Sequence, residues 1–192
     1  MALDLSKTLV VGVSATALFD MSESDQIFRE IFDTDRDTAI DRYREYMLAH
    51  ENEPLTPGTG FPLVKALLAL NTHLEIGEKN PLVEVVVMSR NSPDTGLRVL
   101  NTIRHMKLDI TRSAFTAGES VADYLDAFDV DLFLTTNVSD AQQVIDSRQC
   151  AAAIVKLPPK EAAQLPEGQV RIAFDGDAAR IQLRSATLAY AA

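Results

Sequence analysis

The chain has 192 residues, 46% of them hydrophobic, enough to bury a sizeable core and suited to one domain with a small insertion. Its formal net charge of -10, from 28 Asp and Glu against 18 Lys and Arg, argues against nucleic-acid or anionic-membrane binding, which needs clustered Lys and Arg. Cys150 is the only cysteine, so an intramolecular disulfide is excluded and a reducing compartment fits. No apolar stretch is long enough to span a bilayer, and a cytoplasmic location is expected.

In chain order, the β-branched run "TLVVGVS" (8–14) reads as a buried strand. "DMSESDQIFREIF" follows as a helix that Ser22 or Ser24 can cap, and "TAIDRYREYMLAHEN" continues the helical character. "PLTPGTGFP" (54–62) is a Pro/Gly loop, and "LVKALLALNTHLE" has apolar residues at helical spacing. From there the pattern alternates. "VEVVVMS" (83–89) is a strand, "DTGLRVLNTIRHM" a helix, "TRSAFT" a short strand and "SVADYLDAF" a helix. "DLFLTT" (131–136) is a strand, "SDAQQVIDSR" a helix, "AAAIVK" a strand, and "VRIAF" (170–174) the last clear strand. No internal repeat, low-complexity tract or disordered linker is evident.

Apolar strands alternating with helices imply parallel strands covered on both faces. The expected architecture is α/β, a doubly wound, mostly parallel sheet in a single domain over 1–192. Residues 21–82 form a helical insertion or cap-like segment after the first strand, and 179–192 an atypical tail. Ligands of such sheets bind beyond the carboxyl ends of the strands. Ser89, Arg90 and Asn91, then Thr116 to Glu119, then Thr135 to Asn137, then Asp175 to Asp177 all follow strands.

Asp175 and Asp177 are two positions apart after an apolar run, so both can point the same way and converge on one magnesium and one phosphate. One carboxylate can attack phosphorus while the other serves as general acid and then base. The competing local reading is a β-hairpin, with Asp175-Gly176 turning between Val170-Ile172-Phe174 and Ala179-Ile181-Leu183. Gly58-Thr59-Gly60 can cradle a phosphate through backbone N–H groups or serve as a hinge. Phe61 can stack on a purine or fill the core. His50, His73 and His105 fall in three different predicted helices without metal-ligand spacing, and Cys150 reads as the start of a buried strand rather than a catalytic thiol.

Several stretches together resemble the cytosolic 5'-nucleotidase I family: "VGVSATALFDM" (11–21), "EPLTPGTGFPLVKAL" (53–67), "VVVMSRNSPDTGLRVLNTI" (85–103), "FTAGES" (115–120) and "VRIAFDGDA" (170–178). They occur in that family's order up to residue 178. The resemblance implies a fold of the haloacid dehalogenase superfamily and magnesium-dependent hydrolysis of nucleoside 5'-monophosphates such as AMP. Asp175 is then the nucleophile and Asp177 the acid/base, both also magnesium ligands, with Asn137 and Asp140 as further metal candidates. Ser89 is implied to hold a phosphate oxygen, with Arg90 and Asn91 as phosphate or nucleotide contacts. Thr116, Gly118, Gly58, Phe61 and Lys65 are further substrate-binding candidates. Glu119 stands where some relatives carry lysine, which leaves Lys107 or Arg112 to supply the cation. The alternative is a non-catalytic nucleotide-binding protein, or an inactive truncated paralogue, on the same scaffold. Association of copies into a homo-oligomer is expected where strand edges and apolar surface are left open.

Overall fold

A computed structural model describes residues 5–75, 77–78 and 80–156. Asp175, Asp177, the alternative hairpin of 170–183 and the 179–192 tail lie outside the described residues. Among the described residues five strands form one parallel sheet in the order β5-β4-β1-β6-β7: β1 is Leu9–Ser14, β4 Val83–Ser89, β5 Arg112–Phe115, β6 Leu132–Thr135 and β7 Ala151–Ile154. β1 is therefore central, in register with β4 on one side (Val11 opposite Val85) and β6 on the other (Val11 opposite Leu132).

The unbroken apolar character of β1 and β4 follows from burial on both faces. Alternate residues feed two clusters, as the period of two requires. Val11, Val13, Val85 and Val87 pack with Val64 and Leu67 of α4 (Phe61–Ala69) and with Val99 and Ile103 of α5 (Pro93–His105). Val10, Val86, Met88 and Phe133 pack on the other face with Leu125, Val130 and Val144, the last from α6 (Val138–Ser147). Gly12, two positions from Val10, shares that second face, and a Cβ there would come within 3.0 Å of the Phe133 ring. This is the doubly wound, mostly parallel arrangement expected, of haloacid dehalogenase-like type.

Between β1 and β4 the chain is largely helical. The four-residue α1 (Ala15–Leu18) is followed by β2 (Phe19–Asp20), α2 (Ser22–Thr34), α3 (Ala39–Ala49), β3 (Thr56–Pro57), α4 and a 3-10 turn at Leu70–His73. β2 and β3 pair antiparallel. Met47, Leu55, Val64 and Leu67 of this segment share the buried cluster of Val11 and Val85, so it is continuous with the main core. Among the described residues no helix is long and apolar enough to cross a membrane.

Two local expectations are corrected. Neither Ser22 nor Ser24 caps α2; Asp20 instead accepts the N–H of Ser22 at 2.9 Å, and the bonds from Ser22 hold the Asp20 carboxyl below its ordinary pKa. Ser24 is buried, with Arg98 Nη1 at 3.5 Å from its hydroxyl. The helix expected at "SVADYLDAF" is two 3-10 turns, Val121–Tyr124 and Asp126–Phe128. Its apolar positions 121, 122, 125 and 128 all reach the core cluster, but the chain takes them there through 3-10 turns. Asp129 then takes a left-handed conformation (φ 55°), which lets the Val130 N–H turn back to the Leu125 carbonyl at 3.1 Å.

Candidate functional site

The order β5-β4-β1-β6-β7 places the topological switch between β1 and β6, the position where open α/β sheets bind ligands. A pocket of about 160 Å³ opens there. Its floor is Met88, Val121 and Phe133, and its polar wall is Ser14, Thr16, Ser89, Arg90, Asn91, Asn137 and Asp140. Register explains the convergence: Ser14 is opposite Met88, and Val13 opposite Leu134, so β1, β4 and β6 end at nearly the same level.

Each loop is held by its own short-range bonds. Ser14 Oγ caps α1 by accepting the Ala17 N–H at 3.1 Å, and lies 3.2 Å from the Thr16 hydroxyl. Thr16 is in turn 3.0 Å from the Thr136 hydroxyl, linking the ends of β1 and β6. Ser89, 8% exposed, accepts the Asn91 N–H at 3.2 Å. The loop after β5 is zipped onto this turn: Thr116 N–H donates to Ser89 O (2.9 Å), Ala117 N–H to Asn91 O (3.1 Å) and Gly118 N–H to Arg90 O (2.7 Å). Gly118 has φ of 99°, a conformation that glycine adopts without the cost of a Cβ clash. Thr116 and Gly118 thus brace the Ser89–Asn91 turn from behind rather than line the pocket.

Arg90 and Asp140, from different strand ends, form an ion pair of 2.7 Å. Arg90 Nη2 also donates to Gln143 Oε1 at 3.2 Å. Both contacts run through one nitrogen, so the remaining guanidinium N–H groups have no partner among the described residues. The Asn91 Nδ2 group is buried without an acceptor. Asn137 Oδ1 accepts the N–H groups of Ser139 (2.8 Å) and Asp140 (3.2 Å), the N-cap of α6. Of the two described metal candidates, Asn137 has its Oδ1 engaged by backbone, while Asp140 Oδ1 lies in ion-pair distance of Arg90 but has no hydrogen-bond partner among the described residues. Among the described residues no three His, Cys, Asp or Glu side chains gather into a metal site.

Other sequence candidates lie elsewhere. Gly58 and Gly60 give their N–H groups to Leu18 O (2.9 Å) and Ala17 O (2.7 Å), and a Cβ on Gly58 would sit 2.8 Å from Ala17 O and the Phe19 backbone. This loop is a close backbone packing point. Phe61 packs on the core with its ring 6.3 Å from that of Phe19, and Lys65 is exposed on α4; neither lines the pocket. Arg112 opens β5 at the opposite end of the sheet, bidentate on Glu84 at 2.7 and 2.9 Å, and Lys107 follows the end of α5. Burial, with Asp131 nearby, pushes the Cys150 thiol up to about 11, which keeps it protonated and unreactive at neutral pH.

Thr136 falls in the 135–137 stretch expected at a strand end, whereas Ser14 and Thr16 were not singled out by the sequence. The signal for Ser14 and Thr16 was a pair of hydroxyls two positions apart at the end of a strand, the same spacing as Asp175 and Asp177.

Sheet order and flanking helices define an α/β protein of haloacid dehalogenase-like type, with a candidate site at the switch point. A family model described as 5'-nucleotidase matches residues 1–186, and the chain belongs to that family. Human "Cytosolic 5'-nucleotidase 1B" is 31% identical over 172 residues, 88% of this chain. The chain spans about a quarter of that relative's length, 27%.

Proposed function

We propose that this chain serves magnesium-dependent hydrolysis of nucleoside 5'-monophosphates such as AMP, giving nucleoside and phosphate, in the cytosol. Family membership is the observation that carries this reading, and the family match includes both Asp175 and Asp177. The reading has two parts, a carboxylate pair for the chemistry and a pocket that holds phosphate.

In the chemical part, an Asp175 oxygen attacks phosphorus and the bond to the nucleoside oxygen breaks. The Asp177 carboxyl gives its proton to that oxygen. Asp177, now a carboxylate, takes a proton from water, whose oxygen attacks the aspartyl-phosphate; inorganic phosphate leaves and Asp175 is regenerated. Magnesium would be held by Asp175 and Asp177 and would supply charge neutralisation for the phosphate oxygens.

In the binding part, Ser89 Oγ–H, the unengaged Arg90 N–H groups and Asn91 Nδ2 are the donors for phosphate oxygens. The net charge of -10 makes a local cation necessary for an anionic ligand, and Arg90 is the cation in the pocket. The test is phosphate release from AMP with magnesium by the purified chain and by its Asp175→Asn variant. Release by the unaltered chain, lowered at least a hundredfold in the variant, is expected. No release, or equal release from both, contradicts the reading.

A further inference from the structure

Arg90 is a long side chain whose two ends are held by different elements. Its backbone is fixed by the loop after β5, since Gly118 N–H donates to Arg90 O at 2.7 Å. Its guanidinium reaches across to α6, where Nη2 donates to Gln143 Oε1 at 3.2 Å and lies 2.7 Å from Asp140 Oδ1. Asp140 and Gln143 are three positions apart on one helix, so both leave the same face toward Arg90.

The two partners differ in kind. Asp140 Oδ1 has no hydrogen-bond partner among the described residues, so its attraction for the guanidinium is Coulombic and sets no direction. Gln143 makes the directional bond, and its own oxygen is held in place. Ser120 Oγ–H donates to Gln143 Oε1 at 2.9 Å, while Ser120 Oγ accepts the Ala122 N–H at 3.3 Å. A guanidinium only donates, so the atom facing it is the amide oxygen rather than the amide NH2. Gln143 is absent from the pocket lining, so it acts on a ligand only through Arg90.

Resting on the reading that Arg90 binds the substrate phosphate, we infer that Gln143, braced by Ser120, is a positioning residue for that arginine. A free arginine loses rotamer freedom when it takes hold of a phosphate, and ordering it beforehand removes that cost from binding. A neutral amide suits the task. The chain carries a net charge of -10 and Asp140 already stands beside Arg90, so a second carboxylate there would cancel the positive charge that the phosphate needs. The amide oxygen orients the guanidinium and leaves its charge intact. Both contacts converge on Nη2, and Nε and Nη1 stay available to phosphate oxygens.

The experiment compares Gln143→Ala and Gln143→Glu in the full-length Asp175→Asn chain, which by the same reading binds AMP without turning it over. Two quantities are measured: rotation about the Arg90 Cζ–Nε bond, by NMR of the nitrogen-labelled chain without ligand, and AMP affinity with magnesium, by equilibrium dialysis. Gln143 is exposed, so both variants should unfold at the parent chain's temperature. Gln143→Ala should speed the rotation and weaken AMP binding about fivefold. Gln143→Glu keeps an acceptor oxygen, so rotation should stay slow while the added charge weakens AMP binding. Unchanged rotation in Gln143→Ala overturns the inference, and so does equally fast rotation in both variants. Faster rotation with unchanged AMP affinity also overturns it, because the contact then orders Arg90 without serving the ligand. Arg90→Ala, measured in parallel, separates this from the reading beneath it. Affinity lost there but kept in Gln143→Ala refutes the positioning role alone, whereas affinity kept in both refutes Arg90 as the phosphate's cation and the positioning role with it.

Discussion

Two clefts differ in what their polar groups are doing. The larger, about 380 Å³, lies between the loop after α3 and the face of α5 and is lined by Glu51, Asn52, Asn101, Thr102, Arg104 and His105 together with Pro54. Its polar atoms are joined to one another: Asn101 Nδ2 donates to Glu51 O at 3.0 Å, Thr102 Oγ1 donates to Arg98 O at 2.8 Å and accepts Leu55 N–H at 3.1 Å, and Arg104 Nη1 donates to Asn101 Oδ1 at 3.1 Å. Behind it the buried Arg98 donates Nε to Glu53 O at 3.0 Å. The smaller pocket at the strand ends keeps a serine proton, an amide group, an Asp140 oxygen and part of a guanidinium without hydrogen-bond partners among the described residues. Buried polar groups are almost always satisfied, so the unsatisfied set rather than the larger volume marks the place where a ligand completes the structure.

That contrast can be broken most forcefully at Arg98. Its guanidinium ties α5 to the helical segment, and Arg98→Ala leaves the Glu53 carbonyl without its donor and a void behind it. A loss of about 3 kcal/mol in urea unfolding is expected, with AMP binding to the folded variant unchanged. Loss of AMP binding by a variant that still folds would make the larger cleft the ligand site.

Gly58 sharpens the same point. As a packing position it leaves no room for a Cβ, and Gly58→Ala should cost about 1–3 kcal/mol by thermal or urea unfolding. A phosphate cradle would instead tolerate the methyl in the unliganded chain, and unaltered stability would count against the packing role.

Asp140 gives the smallest effect. Its carboxylate competes with any anion for Arg90, so Asp140→Asn should tighten AMP binding several-fold, about 1 kcal/mol. Weaker binding that depends on magnesium would instead favour Asp140 as a metal ligand.

Much of this was legible in the sequence because strands buried on both faces read as unbroken β-branched runs. "TLVVGVS" and "VEVVVMS" announced β1 and β4, and Ser89 to Asn91 could be placed at a strand end before any coordinates. The alternation after residue 82 likewise predicted the parallel sheet. What stayed hidden depends on contacts distant in the chain. Arg90 and Asp140 are 50 positions apart and pair only because β4 and β6 flank β1. Thr16 and Thr136 meet across 120 positions. Gly58 looked like a cradle because its sequence neighbours are flexible, and nothing local shows that Ala17 and Leu18 carbonyls take the loop's N–H groups. The helix expected at 120–128 is replaced by two 3-10 turns ending at the left-handed Asp129, although its apolar positions 121, 122, 125 and 128 keep helical spacing.

The most direct test of the contrast between the clefts is titration of the isotope-labelled chain with AMP, following backbone and side-chain amide resonances by NMR. Shifts are predicted at Ser89, Arg90 and Asn91, including the Asn91 side-chain amide, and at Ser14 to Thr16, with Glu51, Asn52, Asn101 and His105 unmoved. Shifts centred on Asn101 and His105, with Asn91 still, would contradict the account.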